Sequence, residues 1–206
     1  MKTLVMIGLL AIAPLAFAAQ DTRELPEFTS ISAKGVFKLV VTAGQPQSVV
    51  LSADDGALPN VTTSVVDGEL VIGMPKKGNS WSGEKLSITI GMQQLKKLQI
   101  EGVGGTTLNA LAGDEFTLRF QGVGHLTANG KVQRFVLKAE GVGGVNARNL
   151  EAQLVDASVE GVGSVSVRAT ESLKARVEGI GSLTYYGKPT KVSQTAEGIG
   201  SIRAAE

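Results

Sequence analysis

Glu101-Gly102-Val103-Gly104-Gly105 is a phrase that the chain repeats six times. It returns as Gln121-Gly-Val-Gly-His125, Glu140-Gly-Val-Gly-Gly144 and Glu160-Gly-Val-Gly-Ser164, then as Glu178-Gly-Ile-Gly-Ser182 and Glu197-Gly-Ile-Gly-Ser201. Successive copies begin 20, 19, 20, 18 and 19 residues apart. A fixed period of this size is the signature of a solenoid, in which one short supersecondary unit stacks on the next.

Counting from the first residue of the phrase, apolar residues stand three and one before it. They include Leu98 and Ile100, Leu118 and Phe120, Leu137 and Ala139, Ala157 and Val159, and Ala175 and Val177. Polar residues such as Arg119, Lys138 and Arg176 stand between them. Period-two alternation predicts a strand buried on one face. A second strand is expected after the glycines, with Leu126, Val145, Val165, Leu183 and Ile202 inward and Thr127, Asn146, Ser166 and Thr184 outward. Too few residues remain for a crossover helix. The expected fold is therefore all-β, a right-handed parallel β-helix with a repeat of 19 residues or so and a rise of about 4.8 Å per turn.

The glycines at plus one and plus three are Gly102 and Gly104, Gly122 and Gly124, Gly141 and Gly143, Gly161 and Gly163, Gly179 and Gly181, and Gly198 and Gly200. They are expected at a structural corner, because glycine reaches positive φ without steric cost. The Val or Ile between them should form an aliphatic ladder. Its direction, inward or outward, is left open.

Residues 1–19 read as a secretory signal peptide, with Lys2, an apolar stretch Leu4–Ala13 and a small-x-small site at Ala16-Phe17-Ala18. Cleavage near Ala18 or Ala19 would leave a single domain, 20–206. Its residues 20–94 form an N-terminal cap and first turns, and 95–206 hold the six repeats. Without Lys2 the count is 19 basic against 19 acidic residues, so binding driven by phosphate neutralisation has no charge support. The chain has no cysteine, hence no lipid-anchoring Cys and no disulfides. After the signal no apolar run is long enough to span a membrane. Export to the periplasm or beyond is expected.

Before the repeats, strands are expected at Val36–Thr42, Ser48–Ser52, Val61–Val66, Leu70–Met74 and Leu86–Ile90, with Asp67-Gly68 as a hairpin turn. Pro75–Gly83 reads as a polar loop. The last phrase begins at Glu197, half a turn from Glu206, so weak end-to-end self-association through that edge is expected.

A spaced opening of Phe28, Ile31, Gly35, Phe37, Leu39, Val41 and Gly44 is followed by V-V-D-G-E-L-V-I at Val65–Ile72. L-S-I-T-I at Leu86–Ile90 and a Leu-x-x-Leu-x-Ile step at Leu95–Ile100 then lead into the glycine phrases. In this order the elements resemble the putative auto-transporter adhesin, head GIN domain family of bacterial envelope proteins, across the whole chain after the signal. The resemblance implies a β-helical fold and an adhesin-like role. The chain departs from the family at its corners. Val or Ile stands where the family usually has Ser, and Gly, Ser or His stands where it has Asp or Asn.

Five carboxylates in one column, Glu101, Glu140, Glu160, Glu178 and Glu197, could bind Ca²⁺ through oxygen ligands. The preferred reading is a structural ladder compensated by Arg119, Lys138 and Arg176, since the corners carry no Asp. The repeated Gly-Val-Gly lacks the helix that a dinucleotide site needs. His125, the single histidine, has no partners for a transition-metal site or triad and reads as a surface substitution. Trp81 in its polar loop, with Arg148, Arg168 and Tyr186 at plus eight, forms a candidate ligand surface. No cofactor is implied, and the expected partner is an envelope protein or glycan. The function expected is a non-enzymatic binding or structural module. The alternative is a polysaccharide lyase or hydrolase, but Asp54, Asp55, Asp114, Glu115 and Asp156 are scattered along the chain.

Overall fold

The structure is a computed structural model that describes residues 19–53, 61–74 and 86–205. Residues 1–18 of the expected signal segment, the expected polar loop 75–83 with Trp81, and the pair Asp54 and Asp55 lie outside the described residues. The described chain is all-β. No helix is found among the described residues, and so none long and apolar enough to cross a membrane.

Among the described residues, ten strands form one mixed sheet. They are β1 (Ala19–Thr22), β2 (Ser30–Val36), β3 (Lys38–Ala43), β4 (Ser48–Ala53) and β5 (Thr62–Val66). Next come β6 (Glu69–Gly73), β7 (Ser87–Met92), β8 (Lys97–Tyr186), β9 (Lys191–Gly198) and β10 (Ser201–Ala204). The strands expected before the repeats are present within a residue or two. Asp67 and Gly68 both have positive φ, 50° and 73°, and join the antiparallel pair β5 and β6. Two consecutive positive φ angles are what a tight hairpin turn needs to match strand twist.

β8 covers 90 residues and cannot be straight, since at about 3.3 Å per residue it would extend roughly 300 Å. Its phrases lie on one another. A Cβ built on Gly122 would fall 1.9 Å from the carbonyl oxygen of Gly102, one on Gly141 would fall 2.1 Å from that of Gly122, and one on Gly161 would fall 2.3 Å from that of Gly141. The same register continues at both ends. Ser30–Val36 pairs in parallel with Lys97–Val103, and Lys191–Gly198 pairs in parallel with Ser172–Gly179, nineteen residues back.

The sheet is not uniformly parallel, as the solenoid expectation required. β4 pairs antiparallel with β7 and β1 antiparallel with β4, while β5 closes the other side antiparallel to β6. Long parallel ladders of β2, β3, β8, β9 and β10 are thus bounded at the N-terminal side by antiparallel strands. Only β5 and β6 are joined by a short turn, and the outermost strands β1 and β5 place short edges where a long exposed one would template another chain.

The core follows the alternation. Leu98, Leu118, Leu137, Ala157 and Ala175 are buried, as are Leu126, Val145, Val165 and Leu183. Phe116 and Phe135 stack in the interior with ring centroids 5.8 Å apart. At the fourth and fifth phrases the column three before the phrase shrinks from Leu to Ala, and at the sixth it holds the exposed Gln194.

Candidate functional site

The period-two alternation carries on through the first phrase, where Gly102 and Gly104 are half-buried between exposed neighbours, whereas Gly141 and Gly179 are themselves exposed. Even positions of the phrase point out, odd positions point in, and the inward slots at plus one and plus three hold no side chain. Gly102 (φ 152°), Gly104 (146°), Gly122 (147°) and Gly124 (150°) sit in an extended backbone region that is essentially glycine-only. An added Cβ would strike the carbonyl of the paired strand stretch, at 1.8 to 1.9 Å. The glycine stretch is therefore a continuation of the strand ladder in which φ aims any Cβ at the neighbouring main chain. Gly102 still pairs in strand register with Gly35.

The phrases display three outward columns. The first contains the acidic residues and also Lys34, whose backbone pairs with Glu101. Lys34 donates to Glu101, and Gln121 donates to Glu140. Lys138 lies 2.6 Å from Glu140 and 3.6 Å from Glu160, while Arg176 pairs with Glu178 and lies 3.2 Å from Glu197. The contacts from Lys138 and Gln121 hold the Glu140 carboxyl below the usual carboxylate range, and the hydrogen bond and charge of Glu140 push Lys138 up. Every glutamate of the column thus has a cationic partner, and no group of three or more metal-ligating side chains occurs among the described residues. Arg119, expected to compensate the ladder directly, adds only a through-space charge at Glu140.

The second column answers what the sequence left open: the aliphatic ladder points outward. Val103, Val123, Val142, Val162 and Ile180 leave between 48 and 58% of their surface exposed, and Ile199 81%. The third column is Gly105, His125, Gly144, Ser164, Ser182 and Ser201. A shallow depression lined by His125, Thr127, Gly144, Asn146, Ser164 and Ser166 lies beside it.

At plus eight the chain brings three expected residues together. The Arg148 guanidinium sits 4.4 Å over the ring of Tyr186, and the Arg168 Nε donates to the Arg148 carbonyl at 2.9 Å. Tyr186 is half-buried under Arg148. One turn back in the column, Asn129 Nδ2 donates to Asn109 Oδ1 at 3.2 Å and continues the polar strip. The acids considered for catalysis stay apart. Asp114 accepts from Gln133, Glu115 faces Arg134 at 3.8 Å and Asp156 faces Lys174 at 3.8 Å.

Sequence reasoning missed the rung Lys34-Gly35-Val36-Phe37. The signal was present, since K-G-V-F differs from E-G-V-G only at its ends. Its lysine, not another glutamate, closes the acidic column.

The model of one family, "Putative auto-transporter adhesin, head GIN domain", matches residues 27–189. The chain belongs to this family. The match ends before the last phrase at Glu197, where the resemblance was expected to continue. A crystal structure of a putative adhesin from Bacteroides fragilis is similar over 95% of this chain and 100% of its own, with 27% identity and a TM-score of 0.77. A putative adhesin from Parabacteroides distasonis covers 92% of this chain and 98% of its own at 19% identity and TM-score 0.56. A putative lipid binding protein from the same species covers 91% and 96% at 20% identity and TM-score 0.50. These last two share the fold. No curated protein matches the chain.

Proposed function

We propose that this head GIN domain chain is an exported, non-enzymatic binding module of the bacterial envelope, in which residues 20–206 form one right-handed parallel β-helix behind an antiparallel N-terminal cap. Family membership, the leader-like residues 1–19 and the phrase-on-phrase glycine contacts support this reading.

The observation that carries it is the ordered strip of Arg148, Arg168 and Tyr186, with one guanidinium already stacked on the ring. Three successive turns contribute one side chain each, and Asn109 and Asn129 extend the row. A row with the pitch of a solenoid suits a ligand that is itself extended. Arginine and tyrosine together offer hydroxyl, carboxylate and apolar ring contacts, the mixture a glycan polymer presents. The ligand proposed is an acidic envelope polysaccharide. A polysaccharide-cleaving role has weaker support, because Asp114, Glu115 and Asp156 are each engaged separately on the surface.

Thermal melting of the mature chain with and without acidic envelope glycans tests the reading. A ligand at a hundredfold excess over its dissociation constant stabilises by about 2.7 kcal/mol. A shift is expected in the parent and is expected to shrink in Arg148→Ala and Tyr186→Ala. A shift unchanged in both variants would contradict the assignment of the strip, and product release from the glycan would contradict the non-enzymatic role.

A further inference from the structure

Soluble domains seldom expose a continuous apolar row, yet the ladder from Val103 to Ile199 is one. We propose that it is the seam of a parallel, side-by-side dimer, in which two copies of this chain meet along their aliphatic ladders about a two-fold axis parallel to the stack.

The first ground is the period. Branched side chains repeat about every 4.8 Å along the row, and only a surface with that pitch meets them rung for rung along the whole row. A second copy has it by construction. The second ground is charge. The acidic column is neutralised within the chain by Lys34, Lys138 and Arg176, so covering it leaves no carboxylate in search of a partner. An axis parallel to the stack sets the acidic column of each copy against the Gly/Ser column of the other. An axis across the stack would set acid on acid, where like charges repel.

The third ground is the rung of Gln121. It is the one phrase with a neutral amide in the acidic column and the one phrase with a histidine at plus four. In the parallel arrangement same-numbered rungs meet, so Gln121 of each copy faces His125 of the other, an amide opposite an imidazole. The phrases above and below carry Gly105 and Gly144 at plus four, which leaves room for the ring to lie flat. A Cβ on Gly144 would be 3.7 Å from the His125 ring. The face spans about 13 Å across three columns and about 24 Å along five steps. That is roughly two-fifths of the area per partner of a standard interface, so the dimer is weak and depends on concentration.

The test uses the full mature chain, which lacks cysteine. Sedimentation equilibrium from micromolar to millimolar protein should show the average mass rising toward twice the monomer, and Val142→Lys with Val162→Lys should abolish the rise. Val103→Cys should form a symmetric disulfide under mild oxidation, because rung meets like rung. Gln153→Cys, exposed away from the ladder, should crosslink far more slowly. A monomer at every concentration would overturn the proposal. So would a dimer in which Val103→Cys does not crosslink to itself, or equal crosslinking from both positions. If the lysine variant melts early, the cysteine readout decides alone. It does not involve the arginine–tyrosine strip, so failure here leaves the glycan reading standing.

Discussion

Gly122 and Gly105 are both glycines of the phrase region, and the chain uses them for different reasons. Gly122 has φ of 147° and no space, with the Gly102 carbonyl 1.9 Å from where a methyl would go. Gly105 has open space within 4 Å and no positive φ. Gly122→Ala is therefore expected to cost about 3 kcal/mol or more, combining strain with a main-chain clash. Gly105→Ala should stay within about 0.5 kcal/mol. Denaturant midpoints of the two variants check this. The charged residues act more mildly. The carboxyls of Glu140 and Glu151 are held below the ordinary value of 4.5, first by hydrogen bonds from Lys138 and from Lys131. A depressed carboxyl contributes stability that is present above its unfolded value and lost as pH falls through its folded one. Lys131 and Lys138 are raised above 10.5, so their contribution is present below that pH and lost as pH rises through the folded values. The melting temperature should thus fall below pH 4.5 and again above 10.5, by small amounts because these groups are exposed. A melt profile that rises on acidification to about pH 3 would contradict the pairing. Calcium should leave the melting temperature unchanged, with EDTA as control, because each glutamate of the column is already engaged.

Among the elements, the repeat strands were legible because their period-two pattern is strong, and the hairpin because Asp67-Gly68 names its own turn. The direction of the aliphatic ladder was also implied, by parity: if positions one and three before the phrase face inward, plus two must face outward. The hydrophobicity of Val and Ile pulled the other way, and the glycines hid the parity by leaving two inward slots without side chains. The antiparallel pairing of β4 with β7 was not legible. Both strands alternate well, but nothing local in a non-repeating strand fixes its partner, which is chosen by packing across the fold. The first rung at Lys34 escaped because its neighbours do not repeat. One prediction belongs at this scale. Gly68→Ala has space for the methyl but keeps φ at 73°, so it should loosen the β5–β6 hairpin by about 1 kcal/mol. Faster amide hydrogen exchange confined to β5 and β6 would report it, and exchange unchanged there would argue against the turn.

At the scale of the whole molecule, the phrases do two jobs with one geometry. The glycines let successive phrases lie against one another without a Cβ clash, and the side chains between them are set outward in columns. The candidate site, an arginine–tyrosine strip, was legible only as a column of positions. That Arg148 folds over Tyr186 depends on side-chain packing, which no spacing encodes. Trp81 lies outside the described residues, and its part in the ligand surface remains a proposal. The stacking of every phrase on the one before it is the claim on which the columns, the strip and the seam all depend. Its most direct test is a pulsed electron-resonance distance between spin labels on Val103→Cys and Ile199→Cys, diluted with unlabelled protein. Five stacked steps predict a narrow distribution centred near 24 Å between backbones, to which the label arms add about their own length. A broad distribution, or one centred beyond about 50 Å, would contradict the stack, since that separation requires the repeats to run out along the chain.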